Sequence, residues 1–235
     1  LHVLTHSFPT RRSSDLPMIG HRGKDASALQ ESVSKKLQKL FYTESEILLS
    51  TSSGSGLMEG AIRSCTSRKA AVFSCGAFGD RWYKMAVTNN VKADLYNVDM
   101  GKAITPEMVE TALATGQYDL IAVQHNETST GITNPIEEIA EVVNKYKDVI
   151  FCVDAVSSAG GAKIEVDKLG IDILITSTQK ALGLPPGMAI CTFSERAIKR
   201  AETVEFRGTY FDLLAMYKYL KKKNYQYPST PSLSH

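Results

Sequence analysis

Residues 171–193 read IDILITSTQKALGLPPGMAICTF. Two apolar runs, Ile171 to Ile175 and Met188 to Phe193, have the length and composition of buried strands. Between them lies a Gly/Pro-rich turn holding a single cation, Lys180. The commonplace use of such a lysine is as a solvated loop residue. At the end of a core strand, in a water-poor pocket, its charged form is disfavoured and it becomes a nucleophilic amine. The strands around it decide which reading applies.

Outward from this stretch, strand and helix patterns alternate. Strand runs are read at EILLST (46–51), AAVFSC (70–75), ADLYNVD (93–99), LIAVQH (120–125) and VIFCVD (149–154). Helices are read at ASALQESVSKKLQKLF, with Leu29, Val33, Leu37 and Leu40 as its apolar stripe, and at GLMEGAIRSC, GDRWYKMAVTNN and PIEEIAEVVNKYK. TPEMVETALAT starts with Thr105 as N-cap and Pro106 at the first helical position, and SERAIKRAE is capped by Ser194. Strands alternating with helices imply βαβ units. The near-continuous apolarity of the strands predicts a mostly parallel sheet covered by helices on both faces, an α/β fold. In such sheets ligands sit beyond the carboxyl ends of the strands.

Those ends carry polar and small residues. SSGSGLMEG (52–60) offers glycines and a helix N-terminus, a setting for an anion. It has neither the register of a dinucleotide fingerprint nor the Gly-Lys-Ser/Thr of a P-loop, which counts against a nicotinamide enzyme or an ATPase. CGAFGDRW places Phe78 near two glycines, as a packing residue or as a stacking face. QHNETSTG concentrates hydroxyls at Thr128, Ser129 and Thr130, as turn residues or as donors to a ligand oxygen. VDAVSSAGG follows a strand whose last residue is Asp154, a carboxylate that is costly there unless paired. An anion loop, an aromatic, hydroxyls, a buried Asp and a buried Lys together meet the needs of pyridoxal phosphate: a lysine for covalent attachment, an acid at the pyridine nitrogen and a phosphate cradle.

Four motifs, DAVSSAGG, STQKALGLPPG, HNETSTG and SGSGLMEGA, closely resemble those of class V pyridoxal-phosphate aminotransferases, nearest the alanine–glyoxylate and serine–pyruvate branch. PMIGHRGKDAS (17–27) and the segment from Gly208 to Ser234 extend the resemblance over about residues 17–235. It implies the large domain of fold type I, with Lys180 carrying the cofactor as a Schiff base and moving the proton, and Asp154 pairing with the ring nitrogen. It further implies Thr128 on the ring's phenolic oxygen, Phe78 stacked on the ring and Val156 on its other face. Ser55, Gly56 and Leu57 would hold the phosphate with Gln179 assisting. Tyr227 and Thr230 would reach the phosphate of a neighbouring subunit, hence a homodimer with shared active sites. The implied activity is ping-pong transamination between alanine or serine and glyoxylate or pyruvate. Cysteine desulfurases share the fold but typically carry His where Gln179 stands, and need a mobile catalytic cysteine, so a lyase of that kind ranks lower.

Residues 1–16 differ from the rest. They are polar and basic without period, and HSFPTRRSSDL (6–16) resembles one reading frame of a sequencing adapter; a transit peptide is the weaker alternative. The expected organisation is a non-native segment at 1–16, a cofactor-binding large domain at 17–204, and at 205–235 the start of a connection to a largely missing C-terminal small domain. The family's carboxylate-binding arginine and its N-terminal substrate loop would then lie outside the chain, leaving an inactive, cofactor-binding fragment as the alternative.

Composition bounds the rest. With 235 residues, 43% hydrophobic and 22% charged, a net charge of +2 and scattered basic residues, nothing favours nucleic acid or an anionic membrane. No apolar run approaches the ~18 residues of a membrane span. Lys221 to Lys223 read as a solvated patch. Cys65, Cys75, Cys152 and Cys191 show neither metal-site spacing nor a disulfide framework, and a cytoplasmic protein with reduced, buried thiols is expected.

Overall fold

The computed structural model describes residues 19–222, 224 and 225. Its centre is a seven-stranded sheet in the order β1-β9-β8-β7-β4-β2-β3. The strands are β1 (Glu46–Ser50), β2 (Ala70–Ser74), β3 (Ala93–Asn97), β4 (Leu120–Gln124), β7 (Ile150–Asp154), β8 (Ile173–Ser177) and β9 (Ala189–Phe193). From β3 through β8 every neighbouring pair is parallel. β9 runs antiparallel to both β8 and β1, so it alone is reversed. The reason is the length of the connection from β8. A parallel return needs a crossover of a dozen or more residues, usually helical, whereas the turn after Ser177 folds back through Thr178 N–H to Met188 O (3.0 Å) and Leu184 N–H to Thr178 O (3.0 Å). This turn carries Lys180.

All residues of β2, β4, β7, β8 and β9 are buried, as a sheet covered on both faces requires. Its apolar side chains include Phe73, Phe151 and Phe193, each fully buried. Helices α2 (Gly54–Cys65), α7 (Glu195–Thr203) and α8 (Leu213–Lys222) contact one another, and α3 (Ala77–Thr88) packs on β2, β3 and β4. Helices α4 (Pro106–Leu113), α5 (Ile136–Val143) and the short α6 (Val166–Leu169) form a second group. The expected caps are in place: Thr105 Oγ1 accepts from Met108 N–H (3.3 Å), and Ser194 Oγ accepts from Ala197 N–H (3.0 Å). The left-handed Asn90 (φ 58°) lies just past the end of α3.

Three expectations change. Helix α1 (Lys24–Phe41) buries Ala26, Gln30, Ser34, Leu37 and Phe41, while Leu29 and Leu40 are exposed at 44% and 43%. Both stripes have helical spacing, and the one with small residues faces inward where the helix comes close to β1. Lys221 is not merely solvated: its ammonium pairs with Glu46, tying α8 to the first strand. The polar stretch after β4 holds a two-stranded ribbon, β5 (Asn126–Glu127) with β6 (Ile132–Thr133), too short and polar for a periodicity signal. Among the described residues no helix is long and apolar enough to cross a membrane, and no group of three or more His, Cys, Asp or Glu is placed to hold a metal ion.

Candidate functional site

Because β1, β2, β4, β7 and β8 run the same way, the segments that follow them emerge at one edge of the sheet. There they surround a cavity of ≈ 260 Å³ lined by Ser55, Phe78, Thr128, Asp154, Val156, Gln179 and Lys180, together with Arg81 and Ser177 among others. Seven of the residues singled out from sequence therefore meet in one place. Leu57 does not line it, being fully buried under the first turn of α2. Gly56 is not among the lining residues either, and its N–H is taken by Ser53 O (2.9 Å). Tyr227 and Thr230 lie outside the described residues.

Asp154 ends β7 and is 5% exposed. Its Oδ1 accepts the Val156 N–H (3.0 Å). Burial pushes the carboxyl up to about 6, against the pull of that N–H and of the neighbouring Trp82. The indole N–H of Trp82 acts on it only at a distance, since Nε1 is buried and closes no hydrogen bond. No bond to Oδ2 is made among the described residues. A buried carboxylate with an open oxygen on a cavity wall calls for a donor or a cation from whatever fills the cavity.

The start of α2 also lines the cavity. Its N-cap, Ser53, makes no side-chain cap, and its first turn holds no acidic residue. Apart from the Gly56 N–H, the amides there meet no side-chain cap, and the helix dipole favours an anion. Helix α3 contrasts with it. Its first-turn amides are already taken by Glu127, whose Oε2 accepts Phe78 N–H (3.0 Å) and Gly79 N–H (3.1 Å). Glu127 Oε1 accepts the amide and the hydroxyl of Ser129 (3.0 and 2.6 Å). This fully buried carboxylate joins the loop bearing Phe78 to the ribbon bearing Thr128, next in sequence to itself. Sequence reasoning passed over it. The available signal was a carboxylate among hydroxyls directly after a strand.

The glycines of α2 make room for neighbouring side chains. A Cβ on Gly54 would lie 2.6 Å from Val156 Cγ2, and one on Gly56 2.6 Å from Phe211 Cζ. Lys180 also departs from expectation: it and Gln179 line the cavity but are exposed, not buried. The turn that carries them is pinned at its base, by Thr178 N–H to Met188 O. Ser177, the last residue of β8, places an unpaired, buried Oγ in the cavity lining.

Fold and cavity together define an α/β domain that gathers a helix end free of carboxylates, an aromatic face, a buried acid and a lysine at the carboxyl edge of its sheet. Residues 6–233 match the model of the aminotransferase class-V family, and the chain belongs to that family. It is 43% identical to an uncharacterized aminotransferase of Methanocaldococcus jannaschii over 93% of this chain and 57% of that protein. It is 30% identical to the L-aspartate–glyoxylate aminotransferase of Paracoccus denitrificans over 92% of this chain and 57% of that protein. Among solved structures it is similar to an alanine–glyoxylate aminotransferase from Nostoc sp., with TM-score 0.84 and 27% identity over 93% of this chain and 59% of that one. The chain thus spans somewhat over half the length of these relatives. Pyridoxal phosphate is the cofactor of the family, and the site suits it. The open Asp154 oxygen matches a protonated ring nitrogen, and the α2 terminus, free of carboxylates, matches a phosphate.

Proposed function

We propose that the protein transfers an amino group between alanine or serine and a 2-oxo acid, glyoxylate or pyruvate, by a ping-pong route in which the first keto acid leaves before the second enters. The observation that carries this reading is the convergence of Lys180, Asp154 and the α2 N-terminus on one cavity. Pyridoxal phosphate, when bound, supplies an electron-poor ring that draws charge from the amino acid's Cα. Lys180 Nζ would hold the cofactor and, when free, would take the proton from the substrate's Cα and deliver it to the cofactor's carbon. Asp154 accepts the ring N–H and keeps that nitrogen protonated, an electrostatic contribution throughout. Phe78 and Val156 hold the ring between them, and Thr128 donates to its phenolic oxygen. Ser55, the amide of Leu57 and Gln179 would serve the phosphate, the Gly56 N–H being held by Ser53 O.

Glyoxylate as acceptor is supported by two relatives whose names carry it. The donor is set by the resemblance to the alanine and serine enzymes, while one relative uses aspartate. A homodimer with shared sites is part of the proposal. The exposure of Gln179, Lys180 and Leu184 leaves one side of the cavity for a second subunit to close, with Tyr227 and Thr230 as its contribution. A cytoplasmic setting accords with four buried thiols, none paired with another.

The test is a donor-by-acceptor panel with pyridoxal phosphate present: alanine, serine and aspartate against glyoxylate and pyruvate, keto-acid formation being followed by coupled dehydrogenase. Turnover with alanine or serine supports the reading. Turnover confined to aspartate replaces the donor, and release of sulfur from cysteine without transamination would move the protein to the lyases.

A further inference from the structure

We infer that Arg81 is a positioning residue for the cofactor, working on its phosphate end through Ser55 and on its ring through Phe78. The inference rests on the reading of the cavity as the pyridoxal-phosphate site. Arg81 projects from α3 to the cavity rim, and its Nη1 donates to Ser55 Oγ in the first turn of α2 (3.0 Å). A guanidinium has no acceptor, so Ser55 must accept this bond. Its single O–H proton is then directed elsewhere, as a donor to an anion at the helix end. The Arg81 guanidinium carbon also lies 4.8 Å from the centroid of the Phe78 ring. It covers one face by a cation–π contact and leaves the other face for a second ring.

Arg81 therefore fastens together the two helix starts that border the cavity. Its charge pulls the Asp154 carboxyl down weakly, but neither neighbouring carboxylate bonds it. Asp80 beside it accepts from Ser74 Oγ (2.7 Å), and Glu127 is filled by α3 and Ser129. Among the described residues Arg81 forms no ion pair. An unpaired guanidinium on the rim adds positive potential where a phosphate would lie.

The experiment titrates the cofactor-free chain with pyridoxal phosphate and, separately, with pyridoxal, which lacks the phosphate, using absorbance. The proteins are wild type, R81A, R81K, S55A and the R81A/S55A double variant, each with its thermal midpoint measured. Arg81 is exposed, so the midpoints should stay together. R81A should weaken pyridoxal phosphate binding about tenfold, the scale of one hydrogen bond to a charged group. Its effect on pyridoxal should be smaller. The double variant should lose less than the product of the single losses, because Arg81 acts through Ser55. R81K should recover part of the loss only, since an ammonium lacks the planar fork. Unchanged binding in R81A, or losses that multiply with S55A and are equal for the two ligands, would overturn the inference. A wild-type chain that binds neither ligand would remove the cofactor reading, and this inference with it.

Discussion

Asp154→Asn should stabilise the cofactor-free chain while spoiling its site. The carboxyl ends a core strand at 5% exposure, and burial raises it from 3.8 to about 6. An acid whose folded value is raised binds its proton more tightly in the folded state. Stability therefore falls as pH rises from the unfolded value to the folded one, and then levels off. Below about pH 3.8 there is no penalty; above about pH 6 it is complete. The gap, at about 1.4 kcal/mol per pH unit, amounts to about 3 kcal/mol. Asparagine keeps the Oδ1 acceptor for the Val156 N–H and places its amide where Oδ2 has no protein partner, so most of that figure should be recovered. Urea unfolding of wild type and variant, without cofactor, from about pH 3.5 to about pH 8 reads the difference directly. Other titrating groups, such as the half-buried His125, are common to both proteins and cancel. The expected result is near-equality at the acid end and an Asn variant more stable by about 2–3 kcal/mol at pH 7. A variant less stable than wild type at neutral pH, or a difference independent of pH, would refute the assignment of Asp154 as an unpaired buried charge.

The remaining predictions concern neighbouring parts. Phe78→Ala should weaken cofactor binding about fivefold, the worth of one aromatic stack, with little change in unfolding midpoint. Glu127→Gln replaces a carboxylate that accepts four donors by a group that must turn an N–H₂ toward some of them, and should cost ~1–3 kcal/mol in urea unfolding. Phe151→Ala removes a fully buried ring from the middle of the sheet and should cost ~3–5 kcal/mol, lowering the denaturation midpoint at unchanged slope.

Much of this was written in the chain. The apolar runs of β2, β4, β7 and β8 announce two-sided burial, and Thr105-Pro106 and Ser194 mark helix starts by their own chemistry. Strand order then brings Phe78, Thr128, Asp154 and Lys180 to one edge, because residues after parallel strands share an edge whatever their separation in sequence. What pattern reading missed depends on tertiary context. Two helical stripes compete on α1, and only the approach of β1 chooses between them. The reversal of β9 follows from a connection too short for a crossover. Glu127 and Arg81 are single polar residues whose roles exist only when the β2–α3 and β4–β5 loops, and the starts of α2 and α3, meet. The exposure of Lys180 was likewise invisible, since it depends on what covers the turn after β8.

The central claim is that Lys180 is the amine that takes pyridoxal phosphate. Borohydride reduction of the chain after incubation with the cofactor, followed by peptide mass mapping, tests it most directly. The account predicts a phosphopyridoxyl group on Lys180 and its loss in Lys180→Ala. Labelling spread over surface lysines, or the same labelling in the Lys180→Ala variant, would contradict it.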